Sequence, residues 1–180
     1  MTISISAYAL LAANSYGLLS MVRSEINTLS LPPGEGWTPI KVTTDPVTGF
    51  MAAAYQDANG EIVIAYAGTT AEDENKWGDW WSGNVPAAAG LPSPQVCEAA
   101  RFYMDVISMP SAAGCPTSFT GHSLGGGLAS LMAEYFDKQA LVFDEAPFQK
   151  SADSLEAVAA VQAYLLSPLQ QHTSESLRER

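Results

Sequence analysis

Positively charged residues are scarce in this sequence. Its 180 residues include 8 lysines and arginines but 19 aspartates and glutamates, which gives a formal net charge of −11 at pH 7, and the basic residues form no cluster. Because proteins bind nucleic acids mainly by neutralising phosphates, this composition argues against a nucleic-acid partner. An acidic surface also disfavours anionic membranes. The sequence leaves the oligomeric state open.

Cysteine and histidine are also rare, with two of each. Cys97 and Cys115 lie outside any CxxC or metal-ligand spacing, so buried free thiols are expected, while a disulfide between them stays open. Two histidines, His122 and His172, are too few for a histidine-rich metal site. We therefore expect neither a metal nor an organic cofactor.

Long apolar runs are absent. No stretch of eighteen apolar residues occurs, so the sequence predicts no membrane-spanning helix. The apolar stretch 5–21 lacks a preceding basic region and is interrupted by Asn14, Ser15 and Tyr16, which favours an amphipathic helix over a signal peptide. The localisation stays unknown: the protein is expected to be cytoplasmic or exported without a cleavable leader.

The first half of the sequence has the pattern of an antiparallel sheet. Turn sequences separate three β-rich segments, and the third of these is apolar almost throughout, as in a strand buried on both faces. The predicted strands are 37–43, 50–55 and 61–67.

The second half alternates strands with helices, which indicates parallel strands joined by crossovers. Its predicted elements are a helix at 95–108, a strand at 117–120, a helix at 128–136, a strand at 140–143 and a helix at 151–166. The sequence thus predicts a single α/β domain over 1–166, with a mixed sheet flanked by helices, and a polar tail at 167–180.

The run Gly121-His122-Ser123-Leu124-Gly125 is typical of a serine nucleophile on a strand-to-helix turn. A serine hydroxyl is a weak nucleophile, so it must stand at an exposed bend that a base and a substrate carbonyl can both reach. Glycines two positions away on either side permit so tight a bend. The alternative is a glycine-rich turn with a chance serine.

Two segments together resemble the α/β-hydrolase superfamily and, within it, the class 3 or fungal-type lipases. One is the Ser123 turn, and the other is the strand-end sequence Ala67-Gly68-Thr69-Thr70 with Asp79, Trp80 and Asn84 downstream. The resemblance implies an α/β-hydrolase-like fold and a serine esterase or lipase that acts on lipid or small-molecule esters through an acyl-enzyme. Contact with a lipid surface would fit such an enzyme.

The resemblance also implies an oxyanion hole. Attack on an ester puts negative charge on the carbonyl oxygen, and one preplaced donor is worth about 3–4 kcal/mol to the reaction. The backbone N–H of Leu124, at the start of the predicted helix, is one such donor. By resemblance, Thr69 supplies the second through its backbone N–H, although Gly68-Thr69-Thr70 could also simply end a strand.

Asp144 is the candidate for the acid of a catalytic triad. It follows a predicted strand, at the sheet edge where α/β folds place their active sites, and its surroundings look like the Asp-x-Ala-x-Pro run that carries the acid in pancreatic-type lipases. Class 3 lipases usually place their acid one strand later, so the two resemblances disagree. Glu145 is the competing candidate, and a solvated carboxylate or helix cap is the plain alternative.

The sequence offers two histidines as candidates for the catalytic base. Resemblance to other GHSxG hydrolases implies that the ring of His122 turns away from the serine and packs beneath the turn, in a structural role. His172 follows the last predicted helix and is either an improvised base or a surface histidine. We expect the chain to be C-terminally truncated, ending before the last strands that α/β-hydrolases usually have. The alternative function is a hydrolase-like binding module without a working base.

Overall fold

The computed structural model describes residues 3–16, 36–68 and 94–167, and the helices and strands within those ranges are numbered in chain order. The elements are α1 (Ile5–Tyr16), β1 (Thr38–Thr44), β2 (Met51–Gln56), β3 (Ile62–Tyr66), α2 (Pro94–Ile107), β4 (Thr117–His122), α3 (Leu124–Phe136), β5 (Gln139–Phe143), α4 (Gln149–Ala152) and α5 (Leu155–Leu166). Residues 17–21 of the predicted first helix and residues 168–180 of the predicted tail lie outside this description.

The five strands form one sheet in the order β1-β2-β3-β4-β5. The pairs β1–β2 and β2–β3 are antiparallel, whereas β3–β4 and β4–β5 are parallel. The predicted meander followed by parallel units is therefore confirmed.

Local turn chemistry explains the meander. The Asp45 carboxylate accepts hydrogen bonds from the backbone N–H groups of Val47 and Thr48, at 2.7 and 3.3 Å. In the next turn, the Asp57 carboxylate accepts from Asn59 and Glu61 in the same way, at 2.9 and 2.8 Å. Aspartates bonded to the backbone two to four residues ahead reverse the chain without help from distant residues.

Alternating side chains of the buried β3 strand belong to two cores. Ile62, Ile64 and Tyr66 contribute to the larger core, beneath α2, α3 and α5, whereas Val63 and Ala65 contribute to the smaller one beneath α1. This two-residue period is the geometry of a strand covered by helices on both faces. In the larger core the rings of Tyr66 and Phe119 stack at 6.0 Å.

The structure differs from the sequence prediction at one helix. A single helix was expected over 151–166, but α4 ends at Ala152 and α5 begins at Leu155. Ser154 caps α5, because its hydroxyl accepts a hydrogen bond from the Ala157 N–H at 3.2 Å. A serine that satisfies a free N–H group starts a new helix in preference to continuing the old one.

The two cysteines are free thiols, so the structure contains no disulfide between them. Cys97 is buried near the start of α2, whereas Cys115 follows the far end of that helix. Ten residues of helix separate Cys97 from Ile107, a rise of about 15 Å.

Within the described ranges, no helix is both long enough and apolar enough to span a membrane.

Candidate active site

Ser123 occupies the tight bend between β4 and α3. Its backbone angles are φ 56° and ψ −126°, a conformation that residues other than glycine rarely adopt. The backbone holds this bend on both sides: the Ser123 N–H donates to the Phe143 carbonyl at 3.1 Å, and the Ser123 carbonyl accepts from Gly127 and Ala146 at 3.1 and 2.9 Å. A serine in a strained bend that is pinned by three bonds has the geometry of a nucleophile elbow.

The glycines around Ser123 are required by close backbone contacts. A Cβ atom on Gly121 would lie 2.3 Å from the carbonyl oxygen of Gly125. A Cβ atom on Gly125 would lie 2.1 Å from the carbonyl oxygen of Tyr66, the last residue of β3. Helix α3 therefore begins directly against the end of β3, which an alanine at Gly125 would prevent. An alanine at Gly121 would instead collide with the first turn of α3.

Three parallel strands bring the candidate residues to one edge of the sheet. Strand β3 is followed by Gly68, β4 by Ser123 and β5 by Asp144, and the register aligns Tyr66 with Gly121 and His122 with Phe143. Carboxyl ends of parallel strands form the usual active-site edge of an α/β sheet. The structure thus places Asp144 beside the elbow, as predicted. Its role as the acid of a triad stays a prediction.

The segment after β5 lies close to the elbow. Asp144 is exposed and has a φ of 46°, and the Ala146 N–H bonds to the Ser123 carbonyl. The competing carboxylate, Glu145, accepts a hydrogen bond from the Ser130 hydroxyl of α3. Since Glu145 is held by Ser130, Asp144 remains the better candidate for orienting a histidine.

The predicted oxyanion hole is described in part. A Cβ atom on Gly68 would lie 3.4 Å from the backbone nitrogen of Leu124, so the end of β3 adjoins the first N–H of α3. Thr69, the predicted second donor, lies outside the described residues, and so do Asp79, Trp80 and Asn84. The Thr69 assignment therefore stays a prediction.

The structure describes one of the two histidines, His122, and not the other. The ring of His122 is exposed, and its Nδ1 lies 3.1 Å from the hydroxyl of Tyr16. This exposed position differs from the expected one, in which the ring packs beneath the turn. His172 lies outside the described residues.

Within 3–16, 36–68 and 94–167, no group of three or more His, Cys, Asp or Glu side chains could hold a metal ion.

Two side chains of this region were not predicted from the sequence: Tyr16, which bonds to His122, and Ser130, which donates to Glu145. Both act through partners far along the chain, and a single sequence carries no signal for such contacts.

The sequence profile of a phospholipase-like family, described as the Tle-like phospholipase domain, matches residues 3–166. The chain belongs to this family. The chain is 35% identical over 142 residues to an extracellular phospholipase A1 of Serratia liquefaciens, and the match covers 78% of this chain and 41% of that relative. The chain thus spans about two fifths of the relative's length.

The phospholipase-like domain also shares its fold with a solved fungal lipase. Lipase II of Rhizopus niveus superposes with a TM-score of 0.52 at 16% identity, over 78% of this chain and 60% of the lipase. The lipase-like α/β-hydrolase fold expected from the sequence is therefore confirmed.

Proposed function

We propose that this phospholipase-like domain hydrolyses carboxylic esters of lipids, glycerophospholipids included, through an acyl-enzyme formed on Ser123. The observation that carries the proposal is the strained bend at Ser123, which joins β4 to α3 beside the end of β3. A φ of 56° at a non-glycine residue costs about 1–3 kcal/mol and typically persists where function needs it. The phospholipid substrate class follows the family and the name of the Serratia relative.

The reaction proceeds in two steps, acylation of Ser123 and deacylation. The Ser123 hydroxyl attacks the ester carbonyl, a histidine takes its proton, and the carbonyl electrons move onto oxygen to give a tetrahedral oxyanion. The oxyanion collapses, the alkoxide leaves with the proton from the histidine, and an acyl-serine remains. Water, deprotonated by the same histidine, attacks the acyl-serine and releases the fatty acid and free Ser123.

Four further groups complete the proposed mechanism. The backbone N–H groups of Leu124 and Thr69 stabilise the oxyanion, and Asp144 orients the histidine. His172 is the candidate base in this sequence. No step requires a metal or an organic cofactor.

Hydrolysis of a phosphatidylcholine and of a p-nitrophenyl ester tests the proposal. Ser123→Ala should lower the rate at least about 1,000-fold, to the background of the assay, because the nucleophile is removed. Ser108→Ala makes the same chemical change at an exposed position after α2 and should keep the full rate. A wild-type protein without activity, or a Ser123→Ala protein that retains it, would instead favour the non-catalytic binding module.

A further inference from the structure

Helix α1 is joined to β4 by a row of polar contacts. Alternate residues of β4 face this helix: the Ser118 hydroxyl lies 2.8 Å from the Tyr8 hydroxyl, and the Thr120 hydroxyl lies 3.3 Å from the Tyr8 carbonyl. The third residue in the row is His122, which bonds to Tyr16. The last turn of α1 therefore reaches the end of β4 immediately before Ser123.

The Tyr16 hydroxyl bonds to two strand ends at once. It donates to the His122 carbonyl at 3.2 Å, lies 3.1 Å from Nδ1 of His122, and accepts the backbone N–H of Gly68. A phenol hydroxyl can donate one hydrogen bond and accept two. All three contacts are satisfied together when the Nδ1 of His122 carries a proton and donates it to Tyr16.

Gly68 leaves almost no space in this arrangement. A Cβ atom on Gly68 would lie 2.4 Å from the Tyr16 hydroxyl and 2.8 Å from the His122 carbonyl oxygen. The backbone after β3 is therefore in direct contact with the backbone before Ser123, and the Tyr16 hydroxyl fills the remaining gap. Burial raises the pKa of Tyr16 and the Gly68 N–H opposes that rise, so the hydroxyl stays protonated at neutral pH and can donate.

We infer that Tyr16 is a positioning residue, whose hydroxyl sets the distance between the end of β3 and the Ser123 elbow. This inference rests on the proposed function. Gly68 immediately precedes Thr69 in the sequence, so the contact of Gly68 with the Tyr16 hydroxyl limits how far the backbone that leads into the proposed second donor can shift from Leu124. Oxyanion donors must lie about 2.7–3.1 Å from the developing charge, and a misplacement of about 1 Å can cost about 100-fold in rate.

The test compares two variants that lose the same atom from the same helix. Tyr16→Phe should lower kcat for the p-nitrophenyl ester about 10- to 100-fold while KM changes less than about twofold, because the lost contact affects the transition state more than the bound ester. Tyr8→Phe removes the buried bond to Ser118 of the same strand. Ser118 lies five residues before Ser123, or about 16 Å away along the strand. Tyr8→Phe should lower the melting temperature and leave kcat within about twofold of wild type.

Several results would overturn the inference. One is an unchanged kcat in Tyr16→Phe, another is a rise in KM alone, and a third is an equal loss of kcat in both variants, which would indicate a purely structural role. A Tyr16→Phe chain that fails to fold while Tyr8→Phe folds would also count against it, since the hydroxyl would then be needed for the fold itself. A wild-type chain that a fluorophosphonate does not label refutes the proposed function, whereas labelling of wild type with an unchanged Tyr16→Phe refutes only the positioning role.

Discussion

Single glycines set the geometry of the elbow, and their effects can be separated by their surroundings. Gly125→Ala places a methyl group 2.1 Å from the Tyr66 carbonyl oxygen, a rigid backbone atom, whereas a Cβ atom on Gly114 would find nothing within 4 Å. Gly114 has a φ of 75°, so alanine there costs only backbone strain of about 1 kcal/mol.

We expect Gly125→Ala to lower the free energy of unfolding by about 3 kcal/mol or more, because either β3 or α3 must move. Urea unfolding of both variants measures the difference. Equal losses in the two variants would mean that the contact between α3 and β3 is looser than the structure shows.

A carboxyl group on α2 should make the stability depend on pH. Burial, with the neighbouring carboxylate of Asp45, raises the pKa of Glu98 to about 7, although the Thr48 hydroxyl donates to it at 2.8 Å. A raised folded-state pKa gives stability that is fully present below the ordinary pKa of 4.5 and is lost as the pH rises through about 7.

The melting temperature of Glu98→Gln should therefore fall less between pH 5 and pH 8 than that of the wild type. Glu98 is only half-buried, so the effect should be about 1 kcal/mol, or about 2–4 °C. Glu134→Gln, at an exposed position of α3, serves as the control and should follow the wild-type profile. Parallel profiles for wild type and Glu98→Gln would contradict the assignment.

At the scale of elements, the boundary between α4 and α5 depends on one hydroxyl. Ser154→Ala removes the acceptor of the Ala157 N–H and should destabilise the domain by about 1 kcal/mol. Ser108→Ala, which loses an exposed hydroxyl bonded to the Asp105 carbonyl, should cost less than about 0.5 kcal/mol. Thermal unfolding followed by circular dichroism checks both values, and equal melting temperatures for the two variants would argue against the cap.

Most elements could be predicted from the sequence because their signals are local. The turns at Asp45 and Asp57 bond to residues two to four positions ahead, so the strands on either side were predicted to within one or two residues. The predicted helix began at 151, four residues before α5 begins at Leu155. Ser151, Asp153 and Ser154 are all residue types that cap helices, and the sequence does not tell which of them is the cap.

At the scale of the whole molecule, the position of the candidate active site follows from strand direction. Parallel β3, β4 and β5 end side by side, so Gly68, Ser123 and Asp144 were predictable as neighbours from the alternation of strands and helices. The Tyr16 contact was not predictable, since it joins residues 106 positions apart through one hydroxyl and follows no period. Long-range polar contacts of this kind depend on how the layers dock, which local patterns do not specify.

The central claim is that Ser123 is a reactive nucleophile, and the site of its covalent modification tests this most directly. The protein is treated with a fluorophosphonate and digested, and the adduct is located by tandem mass spectrometry, with Ser123→Ala and Ser108→Ala treated in parallel. The account predicts one adduct, on Ser123, which is lost in Ser123→Ala and kept in Ser108→Ala. A wild-type chain without an adduct, or an adduct that persists at another residue in Ser123→Ala, would contradict it.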